Sequence, residues 1–206
     1  MAPLFSVAQA DAFHKGALLV SASEGQTWAN YSTSGTTNGE KINCDGHING
    51  QRDPLSVEYG LSRRWGIGLT SGADIFNIDP SRYYGFGAPG SVAKPTTSEF
   101  TVDAHYHFFV THKADISAYV SAGGFSVSMK GSQSDFNYSY KSGGNIIRTG
   151  ICARYYVISR FGLLASLSSY AAGSSTNGVK DNTVANNYST RISGLALEFG
   201  ACFRFF

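Results

Sequence analysis

The chain has no long greasy run. No stretch of its 206 residues approaches the roughly 18 to 20 apolar positions that a membrane-spanning helix requires, which excludes helical membrane proteins but not barrels, whose strands are short and only half apolar. Charge is scarce, at 15% of residues, and the net charge of +2 sets up no long-range field toward nucleic acid or an acidic partner. Cysteine is scarcer still. Cys44, Cys152 and Cys202 are odd in number and match no metal spacing, and a Cys152–Cys202 bridge would need two strands side by side that the strand order separates. The Gly-rich pieces open no helix, so no phosphate loop is implied. The start, MAPLFSVAQA, lacks a basic n-region and its apolar part is short, yet Ala8-Gln9-Ala10 fits a signal-peptidase site. Residues 1–13 are therefore expected to be the remnant of an export signal or a flexible N-terminus, and residues 14–206 one β-rich domain.

What is abundant is Gly, 24 residues, and aromatic side chains, 14%, a mix that favours strands and turns over helices. The end of the chain is the clearest stretch. Leu195, Leu197, Phe199, Ala201, Phe203 and Phe205 alternate with Gly194, Ala196, Glu198, Gly200, Cys202 and Arg204, the period of a strand with one apolar face. An edge strand this greasy is avoided in water, but it suits a closed barrel whose apolar face meets lipid.

Eight such runs can be read: about 15–23, 55–62, 65–75, 99–110, 115–129, 145–158, 161–172 and 192–206. The connections between them alternate long and short, with polar loops over about 24–53, 78–97, 130–143 and 173–190 and tight turns at Arg63-Arg64, 111–114 and Ser159-Arg160. Sorting by parity is the mark of an up-and-down barrel with short turns at one end and long loops at the other. The expected fold is all-β, an eight-stranded antiparallel up-and-down transmembrane β-barrel.

The segments PLSVEYGLSRRWGIGL (54–69), HYHFFVTHKADISAYVSAGGF (105–125) and IRTGICARYYVISRFGLLASLSSY (147–170) resemble the strand–turn–strand units of the small outer-membrane β-barrel family, relatives of the transmembrane domain of outer membrane protein A, in a style nearest to barrels of Bacteroidota-type bacteria. The resemblance covers roughly Lys15 to Phe206. It implies an integral protein of a Gram-negative outer membrane with a signal peptide and periplasmic termini. The implied partners are lipopolysaccharide, phospholipid and the barrel assembly machinery, which in that family is thought to read a terminal Phe, here Phe206. By the alternation, Phe206 falls in the inward phase. A membrane-protein partner is a further candidate; no nucleic acid and no cofactor is implied.

The inward phase carries Glu58, Asp74, Asp103, Arg148, Arg154, Glu198 and Arg204, with His105 and His107. In a narrow interior these groups are expected to pair into a charge network that plugs the lumen, because an unpaired buried charge costs several kcal/mol. His105 and His107 share a strand face, but the sequence fixes no third metal ligand. Phe109 is placed inward with them, while the two faces of the fifth run stay unassigned. Trp65, Phe108, Tyr155, Phe161 and Phe205 are read as an aromatic girdle at the short-turn end, and Trp28, Tyr83, Tyr84, Phe125, Tyr138 and Tyr170 as its counterpart at the long-loop end. Three Asn-Tyr-Ser triplets, at 30–32, 137–139 and 187–189, are read as loop–strand junctions with the Tyr at the headgroups. Lipid A deacylases and palmitoyltransferases are barrels of similar size, but the His-x-Ser element of the deacylase is absent. The expected role is non-enzymatic: a structural or anchoring component, or a docking surface through the long loops. A lipid A-modifying enzyme and a narrow pore are the alternatives.

Overall fold

The computed structural model describes residues 11–37, 40–77, 91–92, 96–133, 136–181 and 184–205. The strands are β1 Leu18–Thr37, β2 Glu40–Gly60, β3 Trp65–Asn77, β4 Ser91–Val92, β5 Thr96–Val110, β6 Ala114–Gln133, β7 Phe136–Tyr156, β8 Phe161–Asp181 and β9 Val184–Phe205. All but β4 are staves of one antiparallel barrel. Each pairs with its neighbour in the chain, and β1 closes the ring against β9. The two-residue β4 pairs with Gly131 and Ser132 near the far end of β6.

Register gives the barrel its shape. A path across the hydrogen bonds from Ala22 of β1 runs through Leu55, Ser71, Phe100, Gly124, Asn145, Gly173 and Arg191 and returns to β1 at Ser32, ten residues further on. Eight strands with a stagger of ten, at roughly 3.4 Å per residue and 4.8 Å between strands, tilt by about 40°. An eight-stranded barrel of this kind encloses a bore just wide enough for side chains to fill.

Most staves are 20 to 22 residues long, about twice the 9 to 11 that a tilted strand needs to cross a bilayer. The surplus lies at the end away from the short turns. The expected loops at 24–53, 130–143 and 173–190 are instead almost entirely strand, continuing the barrel wall. The expected loop at 78–97 lies mostly outside the described residues. The polar composition is that of loops, yet the backbone of those segments is paired as strand.

On β1, Leu18, Val20 and Ala22 take the outward phase with their partners Tyr59, Val57 and Leu55, while Leu19 and Ser21 are buried inside. Glu24 and Gln26 also face out, the exposed Trp28 marks the change, and above it the pattern inverts: Asn30 and Ser32 face out, and Ala29, Tyr31 and Thr33 are buried. The same exchange occurs on β9, where Phe205, Phe203, Phe199 and Leu195 are exposed with Arg204 and Glu198 buried, and then Ser193 and Arg191 are exposed with Ile192 buried. From Phe205 to Leu195 the outward apolar side chains rise roughly 25 Å along the barrel axis at this tilt.

Several expectations are corrected by this inversion. Tyr31 of the first Asn-Tyr-Ser triplet points into the barrel, 5% exposed, so it is neither a junction nor a headgroup contact. Phe125 and Tyr170, 7% and 6% exposed, also lie inside rather than on a girdle. Phe109 was placed inward, but a register shift between His107 and Phe109 turns it out beside Phe108. Tyr83, Tyr84 and Phe206 lie outside the described residues, as do the side chains of Tyr138 and of the other two triplets' Tyr and Asn.

Candidate functional site: the filled lumen

The bore is filled in layers, beginning at the short-turn end. There the segment 11–17 enters the mouth instead of trailing from it, so the boundary expected between residues 13 and 14 falls inside the folded unit. Ala12 donates its N–H to the Thr111 carbonyl at 2.7 Å, and Gly16 to the Gly60 carbonyl at 2.8 Å. Gly16 has φ of +84°, a left-handed conformation that lets the chain swing into β1 without a Cβ clash. Asp11 is tied to Arg63 of one turn at 3.0 Å and to His112 of the next at 3.5 Å. Arg204 donates to the Asp11 and Ser159 carbonyls, both at 2.5 Å, and its guanidinium lies 4.9 Å from the centre of the Tyr156 ring. Phe13 is fully buried. It packs within an apolar floor that includes Leu19, Cys152, Tyr156, Leu164 and Cys202, and its ring stacks on His107 at 3.4 Å. The two cysteines are free, and β8 separates their strands.

Above the floor sits a compact ionic group. His107 holds Glu58 at 2.7 Å through Nε2 and Asp115 at 2.8 Å through Nδ1. Arg154 clasps the same two carboxylates, at 2.6 Å and 3.1 Å. A ring protonated on both nitrogens satisfies both acceptors, and the group then balances two cations against two anions. Gly66 makes room for it, since a Cβ there would fall 2.2 Å from Glu58 Oε1. His105 approaches Glu58 only to 3.7 Å and packs on the Tyr119 ring. The two histidine rings lie 6.2 Å apart, centre to centre, and among the described residues no three His, Cys, Asp or Glu side chains are grouped to hold a metal ion.

A second ionic group lies further up. Arg52, 1% exposed, is its centre and donates to Glu198 at 2.7 Å, to Asp74 at 3.3 Å and to Glu99. Arg148 holds the other Glu99 oxygen at 2.9 Å, donates to Ser168 at 3.0 Å and lies over the Tyr170 ring. The hydroxyls of Thr27 and Thr97 complete Asp74, each at 3.2 Å. Two arginines thus face three carboxylates, with hydroxyls supplying the remaining donors. Between the two groups is a cavity of about 60 Å³, bordered by Asp103, His105, Tyr119 and both Arg148 and Arg154. Asp103 is held by Thr70 at 2.5 Å and Thr101 at 2.9 Å rather than by an arginine. The bore is capped by an apolar roof that includes Tyr31, Ile48, Phe76, Phe125, Ile146 and Ile192.

All nine residues expected inside, Glu58, Asp74, Asp103, His105, His107, Arg148, Arg154, Glu198 and Arg204, are buried there, but they do not form one network. They divide between two ionic groups, a hydroxyl-bound Asp103 and an Arg204 that serves the floor. Arg52, Glu99, Asp115 and Phe13 were missed. Arg52 shares the parity of Glu58 but was assigned to a loop. Glu99 shares the parity of Asp103. Asp115 sat on the strand whose faces were left open. Trp65, Phe108, Tyr155, Phe161 and Phe205 all face outward at the short-turn end and are exposed.

No family model matches the chain, and no curated protein matches it. Solved structures do. The chain is similar to outer membrane protein AlkL, determined by solid-state NMR in DMPC bilayers (TM-score 0.60, 14% identity, 100% of this chain and 97% of that one). It is also similar to the outer membrane protein OprG of Pseudomonas aeruginosa (TM-score 0.54, 12% identity, 93% and 97%). A third likeness is to the outer membrane protease OmpT of Escherichia coli (TM-score 0.50, 9% identity, 92% and 97%). At these identities the likeness establishes the architecture: a closed antiparallel barrel of the kind found in outer membranes.

Proposed function

We propose that the chain is an integral outer-membrane barrel of non-enzymatic role, with its short turns and termini in the periplasm and its long hairpins outside the cell. The observation that carries this is the inversion of polarity along single strands. A belt roughly 25 Å tall turns apolar side chains out and ionic ones in, and the wall above it does the reverse. Such a belt would aggregate in water and is stable in lipid, because the closed sheet satisfies its own backbone. The floor, the two ionic groups and the roof support a plugged lumen, so the barrel acts as an anchor and the hairpin end as a rigid docking surface. Kinship with the transmembrane domain of outer membrane protein A and a Bacteroidota host belong to this proposal, as do the barrel assembly machinery and a membrane-protein partner.

Two measurements test it. The protein folded in detergent should keep its β-structure and migrate faster on a gel unheated than boiled. In planar bilayers it should give no steady conductance, and steady open channels would replace the plugged barrel with the narrow pore. A change in lipid A acylation between cells with and without the protein would establish the enzyme alternative instead.

A further inference from the structure

At the short-turn end the exposed charges are nearly all of one sign. Arg63 and Arg64 lie on the β2–β3 turn, Lys113 on the β5–β6 turn, Arg160 on the β7–β8 turn and Lys15 just before β1, and all five are exposed. Each of the four places where the wall is interrupted at this end therefore carries a cation, one in every quarter of the circumference. Among the described residues no exposed carboxylate faces them; the half-buried Asp11 is engaged by Arg63 and His112. The Arg64 guanidinium donates to the Tyr106 hydroxyl, at 3.3 Å, and Lys15, Lys113 and Arg160 have no carboxylate partner among the described residues. Immediately beside them, at the lower edge of the apolar belt, are the exposed side chains of Trp65, Phe108, Val157, Ile158 and Phe161. The upper edge is different: there Glu24 and Asp53 face outward on neighbouring strands, with Gln51 donating to Glu24 at 2.6 Å.

We propose that this cationic ring, with the apolar side chains beside it, is a docking surface for anionic phospholipid headgroups of the leaflet on the short-turn side. The inference rests on the membrane reading above and names the lipid class that reading leaves open. A phosphodiester bound to a glycerol lipid offers both halves of the match, a negative group level with the cations and acyl chains level with the aromatic and aliphatic side chains. The distribution selects lipid over protein. A lipid annulus reaches all four quarters at once, whereas one acidic protein docking from one side engages a fraction of the ring. A second copy of this chain would bring like charge to like charge.

The test is competitive lipid retention. The full chain, folded in a zwitterionic detergent, is offered equal amounts of phosphatidylglycerol and phosphatidylcholine with identical acyl chains, and the bound lipids are counted by native mass spectrometry. Phosphatidylglycerol should be retained in preference, each cation contributing about fivefold. The preference should fall steeply in 0.5 M salt, where screening shortens the reach of the ring. It should vanish in the variant Lys15→Gln/Arg64→Gln/Lys113→Gln/Arg160→Gln, which leaves the Arg63–Asp11 pair intact and whose folding is checked by the gel shift. Equal retention of the two lipids by the parent chain, or an undiminished preference in the variant, would overturn the lipid assignment while leaving the membrane reading in place. Loss of β-structure in detergent with no lipid retained would bring down the membrane reading itself.

Discussion

Trp28 of β1 sits between two halves of one wall that follow opposite rules. Toward the short turns, apolar side chains face out and Glu58, His107, Asp115 and Arg154 neutralise one another inside. Toward the hairpins, Asn30, Ser32 and Ser193 face out and an aromatic and aliphatic roof fills the bore. On β1 and its two neighbours strand and register are continuous across the change, so the backbone is indifferent to it. What differs is the medium outside. Lipid makes apolar exposure free and leaves the interior as the place for polar groups, whereas water reverses both preferences. One half is a barrel turned inside out, and the other is an ordinary small β-barrel core standing on top of it.

The sharpest way to break this comparison is to remove the cation at the top of the lipid-facing half. Replacing Arg52 with Met strips Asp74, Glu99 and Glu198 of the group that all three share. Uncompensated buried charge costs about 3–5 kcal/mol. The urea midpoint of the folded barrel in micelles should fall accordingly. A loss below about 1 kcal/mol would mean that water, not the arginine, satisfies those carboxylates, and the layer would not be a plug.

A second test stays on one strand. Phe199 and Ser193 of β9 both face outward, but Phe199 lies midway up the apolar belt and Ser193 lies above it. Phe199→Arg should cost about 2–4 kcal/mol, the penalty for a charge on the lipid face near the midplane. Ser193→Arg should change stability by no more than about 0.5 kcal/mol. Equal effects at the two sites, read as unfolding midpoints in the same lipid, would erase the proposed boundary between them.

The two halves also differ in how much the sequence reveals. In the belt, Leu195 to Phe205 alternates with Glu198 and Arg204, and the eight staves, their order and the inward charges follow from that alternation. In the hairpin half the same alternation is present, Ala29-Tyr31-Thr33 against Asn30-Ser32, but the exposed positions are Gly, Ser, Asn and Gln, which are also the residues of loops. Loop-like polarity conceals the wall there, and Arg52 and Tyr31 with it, whereas Tyr170 stands on a legible strand and has the inward parity of Leu164 and Ser168. Phe13 was hidden for a different reason. A short segment before the first strand has no periodicity to read, and its place is set by contacts with turns that are distant in sequence, at Thr111 and Arg63. The flip of Phe109 depends on a single register shift, which leaves no mark in composition.

The smallest expected effect probes whether the hairpin half holds itself together. Ile192 of β9 is buried in the roof, where it clusters with Tyr31, Ile48 and Phe76 and makes no contribution to the lipid-facing belt. Ile192→Val removes one methylene from that core and should cost about 1 kcal/mol. If the roof is a core in its own right, the loss is local: amide exchange should quicken roughly fivefold on the hairpin portions of β1, β2 and β9 and stay unchanged between Leu195 and Phe205. Uniform acceleration along β9 would instead make the wall a single cooperative unit. Stability in the watery half would then be borrowed from the lipid half, and the roof would be only a filler.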